Sequence, residues 1–192
     1  MKYDKEASYW GDCYSEVAFG ETCKQRMYMP AMGLPEFPDM QGKSVIDIGG
    51  GPVSMLLRCK NVRGRVIDPI DWPEYVRDRY MMYGIDFDRA GGEEDWPFAC
   101  MVDPVDEIWI YNCLQHVNDP IKILDHAKKY SKKIRIFEWL YTAPDLCHPH
   151  SLTPELLLNG LRDTMIEQVT IRRYTQFNCN CDALAGVFVC ES

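Results

Sequence analysis

The run Val45-Ile46-Asp47-Ile48, followed at once by Gly49-Gly50-Gly51, constrains the fold more than any other segment of the chain. A β-branched apolar stretch ends abruptly in three glycines, which accept φ > 0 and let the backbone approach a ligand closely. A strand must therefore stop here in a sharp turn, and residues 54–60 are expected to continue as a helix. A helix N-terminus behind such a turn would favour a carboxylate or a phosphate. By itself the glycine turn is a weak signal, shared by nicotinamide and flavin binders.

From Lys43 onward apolar runs alternate with helical stretches, which argues for a mostly parallel sheet covered on both faces. The predicted strands are Ser44–Ile48, Arg65–Ile67, Ile85–Phe87, Glu107–Tyr111, Ile134–Leu140, Val169–Tyr174 and Leu184–Cys190. Asp71-Trp72-Pro73-Glu74 reads as a capping box, with Asp71 as N-cap and Gly84 as terminator. Asn118-Asp119-Pro120 and Thr153-Pro154-Glu155 start two more helices, with proline at the first helical position. Residues 175–183 show no helical period, so the last strand is expected to return antiparallel. The expected fold class is α/β: a Rossmann-like, seven-stranded, mostly parallel sheet with helices on both faces. Residues 5–28, rich in Tyr9, Trp10, Tyr14, Phe19 and Tyr28, read as one or two helices, and Pro30 to Gly42 as a non-helical connector. The expected organisation is a single domain over 1–192, with 1–42 a helical cover or lid and 43–192 the core.

Composition narrows the function. The formal net charge is −8, which disfavours a duplex-binding surface, since that needs a basic patch. Lys128, Lys129, Lys132 and Lys133 read instead as a solvated helix face and its C-terminal turn. No apolar run is long enough to span a membrane, and the first residues lead into no apolar signal-peptide core, so a cytoplasmic location is expected. The nine cysteines include no CxxC pair. Cys59, Cys113 and Cys190 lie in apolar runs where a thiol packs as a small hydrophobe.

Two acids separate the ligand classes. Asp47, just before the glycines, would repel a dinucleotide pyrophosphate and favour a ligand carrying an ammonium and a sulfonium. Asp68 closes the second strand, where a carboxylate can accept both hydroxyls of a ribose. Asp68 is also placed to cap a helix. With Asp71 already assigned that task, ligand binding is the favoured role for Asp68.

With these residues the chain resembles the class I S-adenosylmethionine-dependent methyltransferases, particularly the type 11 group. Further segments agree in order: Gly91-Gly92-Glu93-Glu94-Asp95-Trp96-Pro97-Phe98, the strand within Asp106–Asn112, and Leu114-Gln115-His116-Val117-Asn118-Asp119-Pro120. The resemblance covers roughly residues 43 to 140. It implies S-adenosylmethionine as cofactor, S-adenosylhomocysteine as product and a small-molecule acceptor. It also implies that Asp47, Gly49, Gly50 and Gly51 hold the methionine end and Asp68 the ribose. Gly92, Glu93 and Glu94 would then frame the adenine, and Asn112, Cys113 and Leu114 would touch the methionine moiety. Val53 replaces the third glycine of the family's loop, and Asn112 stands where many members have an acid.

Methyl transfer from a sulfonium needs mainly positioning, with a general base only where the acceptor must lose a proton. His116, after the fourth strand, is the first candidate; a turn-shaping histidine is the plain alternative. Glu138, near the end of the fifth strand, reads as a base, as a holder of a cationic acceptor, or as the partner of a buried arginine. His150, in His148-Pro149-His150, lies in the following loop. That loop with Cys147, Cys179 and Cys181 matches no common zinc framework, so no metal is expected. Tyr9, Trp10 and Tyr14 are candidates for acceptor contact, with the loops at 70–72 and 140–152. Two rival functions are a non-catalytic holder of cofactor or product and an aminopropyl transferase. The latter carries acidic tetrads that Asn112-Cys113-Leu114-Gln115 lacks. Nicotinamide binding is a third.

Overall fold

A computed structural model describes residues 7–10, 16–90, 103–175 and 180–190, without the side chains of 16–22 and 24. Seven strands form one sheet in the order β3-β2-β1-β4-β5-β7-β6. They are β1 (Ser44–Ile48), β2 (Arg63–Asp68), β3 (Ile85–Arg89), β4 (Glu107–Tyr111), β5 (Lys133–Trp139), β6 (Thr164–Tyr174) and β7 (Cys181–Cys190). β1 to β5 pair in parallel, whereas β7 runs antiparallel to both β5 and β6. The expected topology holds, including the antiparallel return. β6 starts five residues earlier than expected and carries a bulge between Ile166 and Gln168.

Alternation along the strands sorts the two faces. Ile46 and Ile48, Ile108 and Ile110, and Ile134 and Ile136 share one buried cluster with Leu184 and Phe188. Helix α3 (Pro120–Tyr130) covers that face with Ile123, Leu124 and Ala127, and α4 (Pro154–Gly160) with Leu157. The opposite face is aromatic, with Trp109, Tyr111, Phe137 and Trp139. On it lie α1 (Glu16–Ala31), through Tyr28 and Met29, and α2 (Glu74–Met82), through Val76 and Tyr80. A sheet buried on both faces needs this doubled apolar pattern.

The helix starts are partly as expected. Asp119 caps α3 by accepting from Lys122 N at 3.0 Å, and Thr153 caps α4 from Leu156 N at 3.2 Å. Asp71 does not cap α2. The N-cap is Pro73, with no side-chain cap bond, and Asp71 instead pairs with Arg77 and Arg89 at 3.5 and 3.1 Å. The stretch after the glycines is not an α-helix but a single 3₁₀ turn, Met55–Arg58. Pro30, placed in the connector by sequence, lies inside the last turn of α1. At the N-terminus Ala7–Trp10 is helical; Tyr14 lies outside the described residues.

Lys128, Lys132 and Lys133 are matched by Asp125, Asp106 and Glu167 at 2.9, 2.8 and 2.6 Å, so the lysine cluster faces acids of its own chain. The six described cysteines are free thiols. Cys113 and Cys190 are buried, and burial pushes the half-buried Cys59 thiol up to about 12. No described helix is long and apolar enough to cross a membrane.

Candidate functional site

A pocket opens at the C-terminal tips of β1, β2 and β4, where open parallel sheets bind ligands. Its walls are Gly49, Gly50, Gly51 and Val53 from the glycine turn, Asp68 to Ile70 and Trp72 beyond β2, and Asn112, Cys113, His116 and Val117 beyond β4. Trp10, Gln25 and Tyr28 close it from the N-terminal side.

The glycine turn is held almost entirely by side chains beneath and beside it. Gly49 and Gly51 have φ of +67° and +59°. Gly51 N donates to Asp68 Oδ2 at 3.0 Å, and Tyr80 OH donates to Gly51 O at 2.6 Å. Arg79 donates to Pro52 O and Gln25 to Val53 O. Ser54 N and Met55 N donate to the hydroxyls of Tyr80 and Tyr111 at 2.9 and 3.0 Å. The amides of Gly51, Ser54 and Met55 are thereby occupied, and one 3₁₀ turn has no helix dipole to offer. The helix N-terminus expected behind the glycines is replaced by this 3₁₀ turn.

Asp47 stands under the turn, not in the pocket. It is fully buried, and the hydroxyls of Ser54 and Tyr111 both donate to its Oδ2. Burial drives its carboxyl up to about 7, against the two hydroxyls that pull it down, and the neighbouring Asp68 raises it further. The expectation that Asp47 meets a cationic ligand directly is corrected: its work is to anchor the turn. Asp68, by contrast, lines the pocket. It accepts from Gly51 N, and from Ile70 N at 2.9 Å through Oδ1. It caps no helix, and it is this placement, not Asp71 having taken the capping role, that sets it apart.

The turn after β4 is set by Glu138. That carboxylate is fully buried and accepts from Cys113 N at 3.0 Å and Leu114 N at 3.1 Å, and burial raises it to about 8. Glu138 does not line this pocket and, among the described residues, pairs with no arginine; the buried Arg135 pairs with Glu107 at 2.7 Å. Leu114 is likewise in the core, whereas Asn112, with φ +49°, and Cys113 reach the pocket.

His116 lines the pocket. Its Nδ1 lies 2.9 Å from Cys147 O, and its Nε2 lies 3.3 Å from Gln115 Nε2, whose amide also donates to Asn112 Oδ1 at 2.9 Å. A carbonyl only accepts, and the Gln115 amide nitrogen only donates. The proton therefore belongs on Nδ1, and Nε2 is the basic nitrogen. His148 packs on the His116 ring at 4.5 Å, with its own Nδ1 3.0 Å from Asp145 Oδ1. His150 is half-buried and turned to Asn118 O at 2.9 Å, outside the pocket. The loop 140–152 thus supports His116 but contributes no pocket wall. Of the N-terminal aromatics, Trp10 enters the wall and Tyr9 is 55% exposed. Gly92, Glu93, Glu94 and Cys179 lie outside the described residues, among which no group of three or more His, Cys, Asp or Glu side chains converges for a metal.

Gln25, Tyr28, Trp72 and Tyr111 had no assigned ligand role in the sequence. Trp72 lies in the 70–72 loop expected at the acceptor, and Tyr28 in the N-terminal cover segment. Gln25 carried no signal at all.

No protein-family model matches the chain, and no curated protein matches its sequence. Solved structures do match. One is a Burkholderia thailandensis 1,6-didemethyltoxoflavin N1-methyltransferase with 1,6-didemethyltoxoflavin and S-adenosylhomocysteine bound, at TM-score 0.67 and 15% identity over 100% of this chain and 87% of that one. Another is the N-methyltransferase NodS of Bradyrhizobium japonicum in complex with S-adenosylhomocysteine, at 0.59 and 12% over 90% and 86%. A third is the [4+2]-cyclase SpnF, at 0.65 and 11% over 91% and 82%. The chain has the Rossmann-like methyltransferase fold.

Proposed function

We propose that this protein binds S-adenosylmethionine in the pocket at the strand tips and transfers its methyl group to a small-molecule acceptor, as a member of the type 11 group. The observation that carries this reading is the convergence of the glycine turn, Asp68 and the Asn112-Cys113 turn on one pocket at the strand tips. Bound S-adenosylhomocysteine in two of the fold neighbours supports it. The cofactor supplies an activated methyl group. The chain supplies placement: Gly49 to Gly51 pass the backbone close to the methionine end, and Asp68 takes the ribose hydroxyls. Gly92, Glu93 and Glu94 are the proposed adenine frame. Residues 1–42 act as a cover on a core of 43–192, with Trp10, Gln25 and Tyr28 as its contribution to the site.

His116 is the proposed proton acceptor. Its Nε2 carries the lone pair, to which the Gln115 amide donates, so the acceptor group has to displace that amide; the Cys147 carbonyl would steady the ring as it becomes charged. General base catalysis of this kind contributes about 10²–10⁴-fold. Calorimetry with S-adenosylmethionine and S-adenosylhomocysteine tests the binding. Transfer of a labelled methyl group into a cell extract tests the chemistry. Silence from both ligands ends the reading; tight binding without any transfer replaces it with a non-catalytic holder of the cofactor. A fold neighbour that is a cyclase makes the transfer assay the deciding one.

A further inference from the structure

Asp145 to His148 form a tight turn whose contacts converge on His116. Asp145 N donates to His148 O at 2.9 Å. In return Asp145 Oδ1 accepts from Cys147 N at 2.7 Å, His148 N at 2.8 Å and His148 Nδ1 at 3.0 Å. Those bonds, the one from His148 N foremost, hold the Asp145 carboxyl down to about 2, so it is an anion wherever histidines titrate. Closed in this way, the turn presents two groups to His116. One is the Cys147 carbonyl, 2.9 Å from Nδ1; the other is the His148 ring, with centroids 4.5 Å apart and planes at 46°. The carbonyl fixes the His116 tautomer. The ring acts through charge.

Two imidazolium ions at that distance repel, so the pair takes its first proton at one ring only. The rings are not equivalent. His148 Nδ1 donates to a carboxylate, which favours the charged form of His148. His116 Nδ1 faces a neutral carbonyl, and its Nε2 already receives the Gln115 amide, which competes with a proton. Other titratable groups stand on the elements around His116. Cys113 is on its own turn, Asp68 across the pocket, and Cys147 and His150 on the loop. Asp119 and Glu138 are bound to the backbone amides of Lys122 and of Cys113 and Leu114. All six are unchanged in the variants below, so their effect on His116 cancels in the comparison. Resting on His116 as the proton acceptor, we propose that Asp145 and His148 are positioning residues for it: the carboxylate draws the shared charge onto His148, and that cation leaves His116 a neutral base. Nε2 then stays able to take the acceptor's proton further into the acid range than a lone histidine would.

The test is a proton NMR titration of the four histidines, assigned by single substitutions. As pH falls, His148 is expected to take up its proton first. His116 should follow at a midpoint lower by about one pH unit, the size set by two charges 4.5 Å apart near water. His148→Phe keeps a ring against His116 and removes the charge. In that variant the His116 midpoint should rise by about one pH unit, and the acidic limb of kcat/KM for methyl transfer should move up with it. Asp145→Asn should bring the two midpoints of the pair together. His116 protonating first, or keeping its midpoint in His148→Phe, overturns the proposal and leaves His116 as base in place. Should His148→Phe fail to fold, the order of protonation in the wild type decides alone. A transfer profile with no acidic limb, beside the expected titration, removes the base role of His116 and the proposal with it.

Discussion

A methyl group added at Gly50 would sit 2.7 Å from Asp47 Oδ2 and 2.9 Å from its Cγ. The carboxylate cannot retreat, because Ser54 and Tyr111 hold it and it is fully buried. Gly50→Ala is therefore expected to cost about 1–3 kcal/mol, as overpacking does, and to weaken S-adenosylhomocysteine more than tenfold, read by thermal melting and calorimetry. Glu138 makes a second residue-scale prediction. Its carboxyl sits near 8 in the folded protein against an ordinary 4.5. A raised acid favours the folded state fully below about 4.5, and that advantage is lost as pH climbs through about 8. Each pH unit in that window is worth about 1.4 kcal/mol. Glu138→Gln keeps an acceptor for Cys113 N and Leu114 N without the charge. The melting temperature of Glu138→Gln relative to wild type should rise steadily from pH 5 to pH 8; a flat difference refutes the assignment.

At the scale of elements, two aspartates with the same apparent capping role behave differently. Asp119 accepts from the α3 backbone, so Asp119→Ala should cost about 1 kcal/mol in urea unfolding. Asp71 makes only surface ion pairs beside α2, so Asp71→Ala should stay within about 0.5 kcal/mol. Equal losses would mean that α2 has a cap the geometry does not show. The proline explains the difference. Pro73 is itself the N-cap of α2 and lacks an N–H, whereas Pro120 follows its cap and leaves Asp119 free to reach Lys122 N.

Across the whole molecule, one buried ion pair ties the sheet to the N-terminal helix. Arg135 is bound to Glu107 through Nε and donates to Met32 O through Nη1 at 2.6 Å, just past α1; Lys43 and Trp109 complete the shell of Glu107. Removing one partner leaves a charge stranded in the core. Arg135→Met should cost about 3–5 kcal/mol in urea unfolding, with part of the loss recovered by adding Glu107→Gln. Because α1 also carries Gln25 and Tyr28 into the pocket, Arg135→Met should weaken S-adenosylhomocysteine although it touches no pocket residue. An unchanged affinity would mean that α1 is held by the aromatic packing of Tyr28 on Phe137 and Trp139 alone.

The seven strands, the antiparallel return and the position of the glycine turn followed from the sequence, because period and turn residues are local properties of the backbone. β1 and β4 were legible to the residue for that reason, and so was the cap at Asp119. Which side a charged group faces was not. Asp47 and Asp68 both stand at strand ends, yet one is drawn under the turn by two hydroxyls from 7 and 64 residues away, and the other is left in the wall. Glu138 became the clamp of a turn 25 residues distant. Gln25 entered the pocket only because α1 lies across the aromatic face. Hydrogen bonds between groups far apart in the chain are decided by packing, and only the folded chain holds that information.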